Sequence, residues 1–365
     1  MARNPFTPNF GQVPRVLAGR DQLIDEIVSA FDNAPGDPSL TSILIGARGT
    51  GKTALLSLLA NEAESKGWLA VNVPCVGGML EEIFQGTVKA SSHLICQSDE
   101  TKLTGLTIGQ LIGLEWEAKP SEKPTWFLRM SALLDELDRR DVGLLITVDE
   151  VRPSLEEMGL LASYYQLFVR DERKVALLMA GLPSEVSLLL NDKSASFLRR
   201  ASQYHIGDIG DADAELVLER TAEEGEKAFT PDALGRVVEA CGGFPYLIQL
   251  MGYRSWQAAG NSSTIDVESA ERGISRARSD FETRVLKATL DELSDKDLEF
   301  LCAMAQDRDE SRTSEIAKRM GQSTGYVSQY RRRLLEQGVI ASQGRGKVTF
   351  ALPFLKEYLK EYLGD

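Results

Sequence analysis

The chain has 365 residues, 43% of them apolar, and sets 41 Lys and Arg against 54 Asp and Glu for a net charge of −13. That length suggests two or three domains with ordinary cores, and so acidic a chain must draw any contact with a polyanion from a local basic patch. No apolar run approaches the ~20 residues of a membrane span, and MARNPFTPNF has no apolar region of a secretory signal, so a cytoplasmic location is expected. The scattered cysteines Cys75, Cys96, Cys241 and Cys302 read as reduced core thiols, and His93 and His205 are too few for a usual zinc site.

Residues 21–32, DQLIDEIVSAFD, have helical periodicity, and NAPGDPS then breaks the chain. Short apolar runs follow at Ser42–Ile45, Leu69–Val73, Leu144–Val148 and Val175–Ala180, with amphipathic stretches between them. Continuous apolar strands alternating with helices predict an α/β fold whose parallel sheet is covered on both faces. Residues 211–226, 230–241 and 245–259 read as successive helices without intervening strands, so the chain changes class near residue 210.

Between the first strand and a Leu-rich helix stands GARGTGKT, Gly46 to Thr53, which fits G-x-x-x-x-G-K-[ST]. A phosphate tail needs successive backbone N–H groups pointing inward, in dihedrals that side chains obstruct. Gly46, Gly49 and Gly51 permit that nest, and the helix starting near Lys52 adds its positive end. The expected nucleotide contacts are Gly46, Ala47, Arg48, Gly49, Thr50, Gly51, Lys52, Thr53 and Ala54. Lys52 faces the β- and γ-phosphates, and Thr53 supplies a hydroxyl to Mg²⁺. The strand LLITVDE, 144–150, ends in the required carboxylates: Asp149 to hold Mg²⁺ through water and Glu150 to polarise the attacking water. A nucleoside triphosphate and Mg²⁺ are therefore expected, with NTP hydrolysis the leading reaction; that the nucleotide is ATP follows only from the resemblance given next. The next core strand, VALLMAGLP, ends in Ala180, Gly181 and Leu182 and offers no polar group to sense a γ-phosphate. Arg199 and Arg200 in FLRR are candidate arginine fingers for this or a neighbouring subunit, or else a surface or salt-bridged pair.

These residues resemble the AAA+/STAND-type P-loop ATPases, including those related to the origin-recognition ATPases. The carriers are the P-loop, the Asp-Glu strand, the GLP after the fourth strand and GGFPYLIQLMG at 242–252. RVLAGRDQLIDEI, 15–27, resembles the N-terminal box of that group, and the resemblance covers nearly the whole chain. It implies adenine as the base, with Val16 or Leu17 on one side and Pro245, in Gly243-Phe244-Pro245, on the other. Origin-recognition relatives carry an arginine where this chain has Pro245 and Tyr246, and Arg254 lies about two turns further on. With no polar sensor either, a slow nucleotide switch fits better than a motor.

From Ser294 the pattern is helix, helix, helix, hairpin, which is the plan of a winged helix, with Ser294 and Thr313 as expected N-caps, Gly338 ending the third helix and Gly344-Arg345-Gly346 as the turn. The expected organisation is a P-loop NTPase core at 1–210, a helical lid at 211–290 and a winged-helix domain at 291–365. Between Arg312 and Lys347 eight basic residues face two acidic ones. At about 100° per residue, Val327, Tyr330 and Leu334 share the core face, while Gln329, Arg332 and Arg333 point away and Arg331 flanks them. With Arg345 and Lys347 on the wing, these residues form the expected contact with double-stranded DNA. The competing readings are a winged helix that binds a protein or its own core, as STAND relatives imply, and a plain transcription factor with a degenerate nucleotide site. A homo-oligomer or a protein partner is compatible with each.

Overall fold

The computed structural model describes residues 3–9, 11–95, 125–193 and 195–362; Cys96 lies outside the described residues. The chain opens with an extended arm and then α1 (Asp21–Asp32). The P-loop half alternates β1 (Thr41–Gly46), α2 (Lys52–Ser65), β2 (Leu69–Pro74), α3 (Met79–Ile95), α4 (Trp126–Asp138), β3 (Leu144–Asp149), α5 (Glu156–Arg170), β4 (Val175–Gly181), α6 (Pro183–Asn191) and β5 (Ser202–Ile206). The five strands form one parallel sheet in the order β2-β3-β4-β1-β5.

Both faces of this sheet are buried, which is why its strands read as unbroken apolar runs. Leu44, Leu145 and Leu178 face α1 and α2, meeting Ile27, Phe31 and Leu59. Ile43, Ile146 and Met179 point the other way, into a core with Ile83, Leu133 and Tyr165. The fifth strand, SQYHI, is an edge strand of alternating exposure and gives no continuous apolar signal. The sequence reading did not find it.

A helical unit follows: α7 (Asp211–Glu224), β6 (Ala228–Phe229), α8 (Pro231–Cys241), α9 (Pro245–Ala258), β7 (Thr264–Ile265) and α10 (Val267–Phe281). The strands expected to be missing here do occur, as a two-residue parallel pair between β6 and β7. α8 starts at a Thr230 cap followed by Pro231 at the first helical position, where a missing N–H costs nothing, and stops at left-handed Gly242. A π-helical turn (Glu282–Leu286) carries α10 into α11 (Lys287–Asp291).

The C-terminal unit is α12 (Asp295–Ala305), β8 (Ser311–Arg312), α13 (Thr313–Arg319), α14 (Thr324–Glu336), β9 (Ile340–Ser342), β10 (Lys347–Phe350) and α15 (Leu355–Tyr362), with the sheet order β8-β10-β9. Ser294 caps α12 in a reciprocal capping box with Asp297. Arg312, not Thr313, occupies the cap position of α13; the Thr313 hydroxyl donates instead to Gly346 O at 3.1 Å, tying the helix to the wing. α14 ends before Gly338 at φ +68°, and Gly344 and Gly346 shape the hairpin turn with positive φ. The helix α15 packs on α12 and was not anticipated.

Candidate functional site

Gly46 ends β1, and the chain turns through left-handed Gly49 and Gly51 into α2, so the loop wraps the carboxyl end of the strand. Gly49 stands at a free position of the motif, yet glycine is required there: φ is +79° and a Cβ would lie 2.7 Å from Phe244 Cζ. The Lys52 ammonium folds back on the loop and donates to Gly46 O at 2.9 Å and Ala47 O at 2.7 Å. Burial pulls its pKa down to about 8; Asp149 and Glu150 oppose that fall and Arg48 adds to it.

Asp149 ends β3, two strands from β1, and spans the intervening end of β4 to accept the Thr53 hydroxyl at 2.6 Å on Oδ2. Its other oxygen accepts Glu150 N at 2.9 Å. Glu150 is held at φ +53°, its carboxylate exposed and 3.5 Å from Arg152 Nη2. β4 can lend no polar side chain here because its end is packed: a Cβ on Gly181 would meet Val151 Cγ2 at 2.5 Å, and Val151 N donates to Ala180 O at 2.9 Å. Lys52, Thr53, Asp149 and Glu150 line one cleft with Pro245, Tyr246 and Gln249 of α9. Asn9 and Gln12 of the N-terminal arm line it too; the Asn9 amide donates to Gln12 Oε1 at 3.3 Å.

Beside this polar cleft lies an apolar pocket whose walls include Val16 and Leu17 on one side and Pro245, Ile248 and Gln249 on the other, with Thr50, Gly51 and Ala54 joining the two. Thus the expected base-side residues Val16, Leu17 and Pro245 share one pocket. Apolar walls with a few polar groups suit small-molecule binding. Arg20 also lines it and donates to Gly19 O at 3.2 Å and to Gly207 O; burial lowers its pKa against the pull of Asp208 and Asp213. Sequence reasoning missed Arg20, Ile209 and Gln249. Gln249 lies four residues after Pro245, hence on the same helix face, and that spacing was a usable signal. Ile209 follows β5 and is placed only by tertiary structure; its N–H donates to Gly243 O at 2.9 Å, closing lid onto sheet.

Arg199 and Arg200 do not join the site. They precede β5, whose Ser202 pairs with Ser42 at the start of β1, while Gly46 pairs with Ile206 at the far end. Those four residues of strand place the arginines more than about 13 Å from the P-loop. Arg199 Nε donates to Leu190 O at 2.6 Å, and Arg200 lines a separate cleft with Tyr165 and Phe197. The expectation that either reaches its own subunit's γ-phosphate is corrected; sequence proximity to β4 hid that the intervening chain returns to the amino ends of the strands, away from the P-loop.

For Mg²⁺, a hydroxyl and a carboxylate oxygen 2.6 Å apart are the hard donors that this ion takes. Among the described residues no group of three or more His, Cys, Asp or Glu could hold a metal alone.

In the C-terminal unit, Val327 and Leu334 are fully buried and Tyr330 half-buried, as the helix geometry requires. Gln329 and Arg345 are exposed, and Arg332 is 80% exposed, 3.6 Å from Glu336. Arg331 reaches Ser342 Oγ at 3.4 Å. Arg333 departs from the expected outward pose. Its guanidinium turns back to buried Asp297, with Nε 3.0 Å from Oδ1, and donates to Ser294 Oγ at 2.6 Å. Lys347 pairs with Glu310, and Arg319 with Asp307. These carboxylates lie outside the 312–347 window, so the patch is less positive than the local count implied.

The fold is the P-loop NTPase fold, a five-stranded parallel sheet with a glycine loop after its first strand, followed by helices, and it is shared with solved origin-recognition proteins. The chain is similar to the Aeropyrum pernix ORC2 protein, solved as ADPNP–ADP complexes, at 14% identity over 97% of this chain and 96% of that one, with a TM-score of 0.64. A Walker-type ATPase of Pyrococcus abyssi is similar at 15% identity over 96% and 98% of the two chains, with a TM-score of 0.67. Cdc6p of Pyrobaculum aerophilum matches at 15% identity over 97% and 96%, with a TM-score of 0.50. Residues 283–359 match a family model described as a domain of unknown function, DUF8462. No curated protein matches.

Proposed function

We propose that the chain binds ATP with Mg²⁺ between its sheet and its helical lid, hydrolyses it slowly, and uses the nucleotide state to set the pose of a C-terminal winged helix. One observation carries this reading: Lys52, Thr53, Asp149 and Glu150 converge on a cleft that continues into the apolar pocket of Val16, Leu17 and Pro245. Residues 46–54 cradle the phosphates, with Lys52 released from the Gly46 and Ala47 carbonyls to face them. Thr53 and, through water, Asp149 hold Mg²⁺, which when bound neutralises phosphate charge. Glu150 turns from Arg152 to polarise water. The domain division at 1–210, 211–290 and 291–365 and a cytoplasmic location, in keeping with free thiols at Cys75, Cys241 and Cys302, belong to the same reading. No helix among the described residues is long and apolar enough to cross a membrane.

A fluorescent ATP analogue, titrated with Mg²⁺ against wild type and Lys52→Ala, tests this. A loss of at least tenfold, about 1.4 kcal/mol, is expected; equal affinities would remove the P-loop assignment. Glu150→Gln should bind the analogue and lose turnover.

For the winged helix, double-stranded DNA is the proposed partner, read by Gln329, Arg331 and Arg332 on α14 and by Arg345 and Lys347 on the wing. The exposure of residues 321–325 and of Gln329 leaves the N-terminal half of α14 free to enter a groove. A second reading, in which the unit acts through its own core, is favoured by the other end of that helix. Ser184 of α6 donates to Glu336 O at 3.4 Å, and Leu182 lies against Gly338. Mobility shift of duplex DNA with and without ATP separates the two. Arg199 and Arg200 retain a proposed role only toward a neighbouring subunit, tested by whether their Ala variants lower turnover in an assembled oligomer.

A further inference from the structure

A second cavity, about 200 Å³, opens between the P-loop and the linker to the C-terminal unit. Arg48 and Gly49 come to it from the P-loop, Phe244 and Tyr246 from the start of α9, and Arg284 and Glu292 from the linker. Arg48, Gly49 and Tyr246 also line the cleft above Lys52, so the two spaces adjoin at the phosphate end. Arg284 and Tyr246 line the same cavity, and Tyr246 belongs to the wall that the two spaces share.

Arg284 is a loosely paired cation. Its closest carboxylate is Asp280, 3.9 Å away. Asp280 is held at 2.5 Å and 2.7 Å by Nη2 and Nε of Arg254, the lid arginine, which is thereby tied away from the cleft. Both Arg254 contacts fall on Asp280 Oδ2, and Arg284 stands off from Oδ1, a loose contact that leaves its side chain 63% exposed. The backbone points the same way. Arg284 sits in the π-helical turn 282–286, and such single turns inside α-helices concentrate at functional sites. Meanwhile the packed end of β4 and Pro245 and Tyr246 at the start of α9 supply no cation to a terminal phosphate.

We infer that Arg284 reads the terminal phosphate of a nucleoside triphosphate held by the P-loop, reaching it past Arg48 from the linker. This rests on the nucleotide reading above and goes beyond it by naming how the nucleotide state leaves the site. The linker's Phe281, Leu286 and Leu290 belong to the same buried core as Phe300, Leu334 and Leu355. A triphosphate therefore draws the linker and C-terminal unit together toward the P-loop, and a diphosphate leaves Arg284 without its anion. Free phosphate beside a diphosphate offers the same chemistry.

The experiment uses the full chain with Arg284→Gln and Arg284→Lys. Affinity is measured for a non-hydrolysable ATP analogue, for ADP, and for ADP with excess inorganic phosphate. Arg284→Gln should lose about tenfold in affinity for the ATP analogue with ADP affinity unchanged, and Arg284→Lys should recover part of the loss. Tighter ADP binding with added phosphate, absent in Arg284→Gln, identifies free phosphate as a second occupant. Equal losses for ATP analogue and ADP, or no loss for either, overturn the inference. Wild type and Lys52→Ala indistinguishable toward ADP would instead overturn the nucleotide reading on which it rests. Unliganded thermal unfolding of Arg284→Gln should match wild type, since the side chain it removes is mostly exposed.

Discussion

On one side of the cleft the sheet is clamped between two separate apolar cores, one against α1 and α2 and the other against α3 to α6. On the other side the lid and the C-terminal unit share a single core, running from Ala214 and Leu247 through Phe281 and Leu290 to Phe300, Leu334 and Leu359. Chain order suggests three parts, of which the last two share one buried core. The cleft follows the seam between this core and the sheet, where Gly49 meets Phe244 and Ile209 meets Gly243. Close-packed protein interiors transmit strain. On the proposed nucleotide reading, a change at the seam would move the lid and the C-terminal unit together.

The sharpest way to break this comparison is at Phe281, fully buried, with ring centroids 6.0 Å from Phe244 and 6.2 Å from Phe354. Phe281→Ala should cost about 3–5 kcal/mol, and lid and winged helix should lose structure in one transition ahead of the sheet. Two separate transitions, read by hydrogen exchange, would split the shared core. The next effect is smaller. Arg333→Ala leaves the buried Asp297 carboxylate without its cation and should cost about 1–3 kcal/mol in denaturant unfolding. Exposed Arg332→Ala should stay within about 0.5 kcal/mol while weakening DNA binding. Were the two variants equally stable, Arg333 would return to the surface-reading set.

The pH dependence of the site sharpens the seam itself. Lys52 is depressed by burial to about 8, so the folded, unliganded chain binds fewer protons there than the unfolded chain between pH 8 and the ordinary lysine value. Its contribution to stability accordingly rises with pH across that window. Nucleotide affinity runs the other way, because phosphates need the ammonium form. Binding should take up a proton near pH 8 and weaken by up to about tenfold per unit above it. Calorimetry in buffers of different ionisation enthalpy should detect that uptake in wild type and miss it in Lys52→Ala. The smallest effect concerns the C-terminal unit. With Arg333 withdrawn, about four phosphate contacts remain, and DNA affinity should fall with salt at a log–log slope of about −3 to −4.

Much of the sheet side was legible in sequence because burial on both faces writes itself as continuous apolar runs, and because a phosphate loop needs glycines at fixed spacing. β5 was not, since an edge strand such as SQYHI keeps polar residues on its open side. The convergence of Val16, Leu17 and Pro245 came from a resemblance, whereas Arg20 and Ile209 enter the pocket through tertiary packing alone. Charge was the least legible quantity. Asp297, Asp307 and Glu310 neutralise Arg333, Arg319 and Lys347 from outside the counted window, and no local count can find a partner that the fold brings from another element.

The contact between Gly49 and Phe244 has a genetic consequence. Gly49→Ala places a methyl where the Phe244 ring stands and also strains a left-handed residue, so it should impair nucleotide binding without touching any motif glycine. A second change, Phe244→Leu, removes the ring edge and should restore part of the lost activity, the backbone strain accounting for the remainder. Selecting for revertants of Gly49→Ala would then return substitutions nearly two hundred positions downstream in the chain, a suppressor pair that marks where the P-loop and the lid touch.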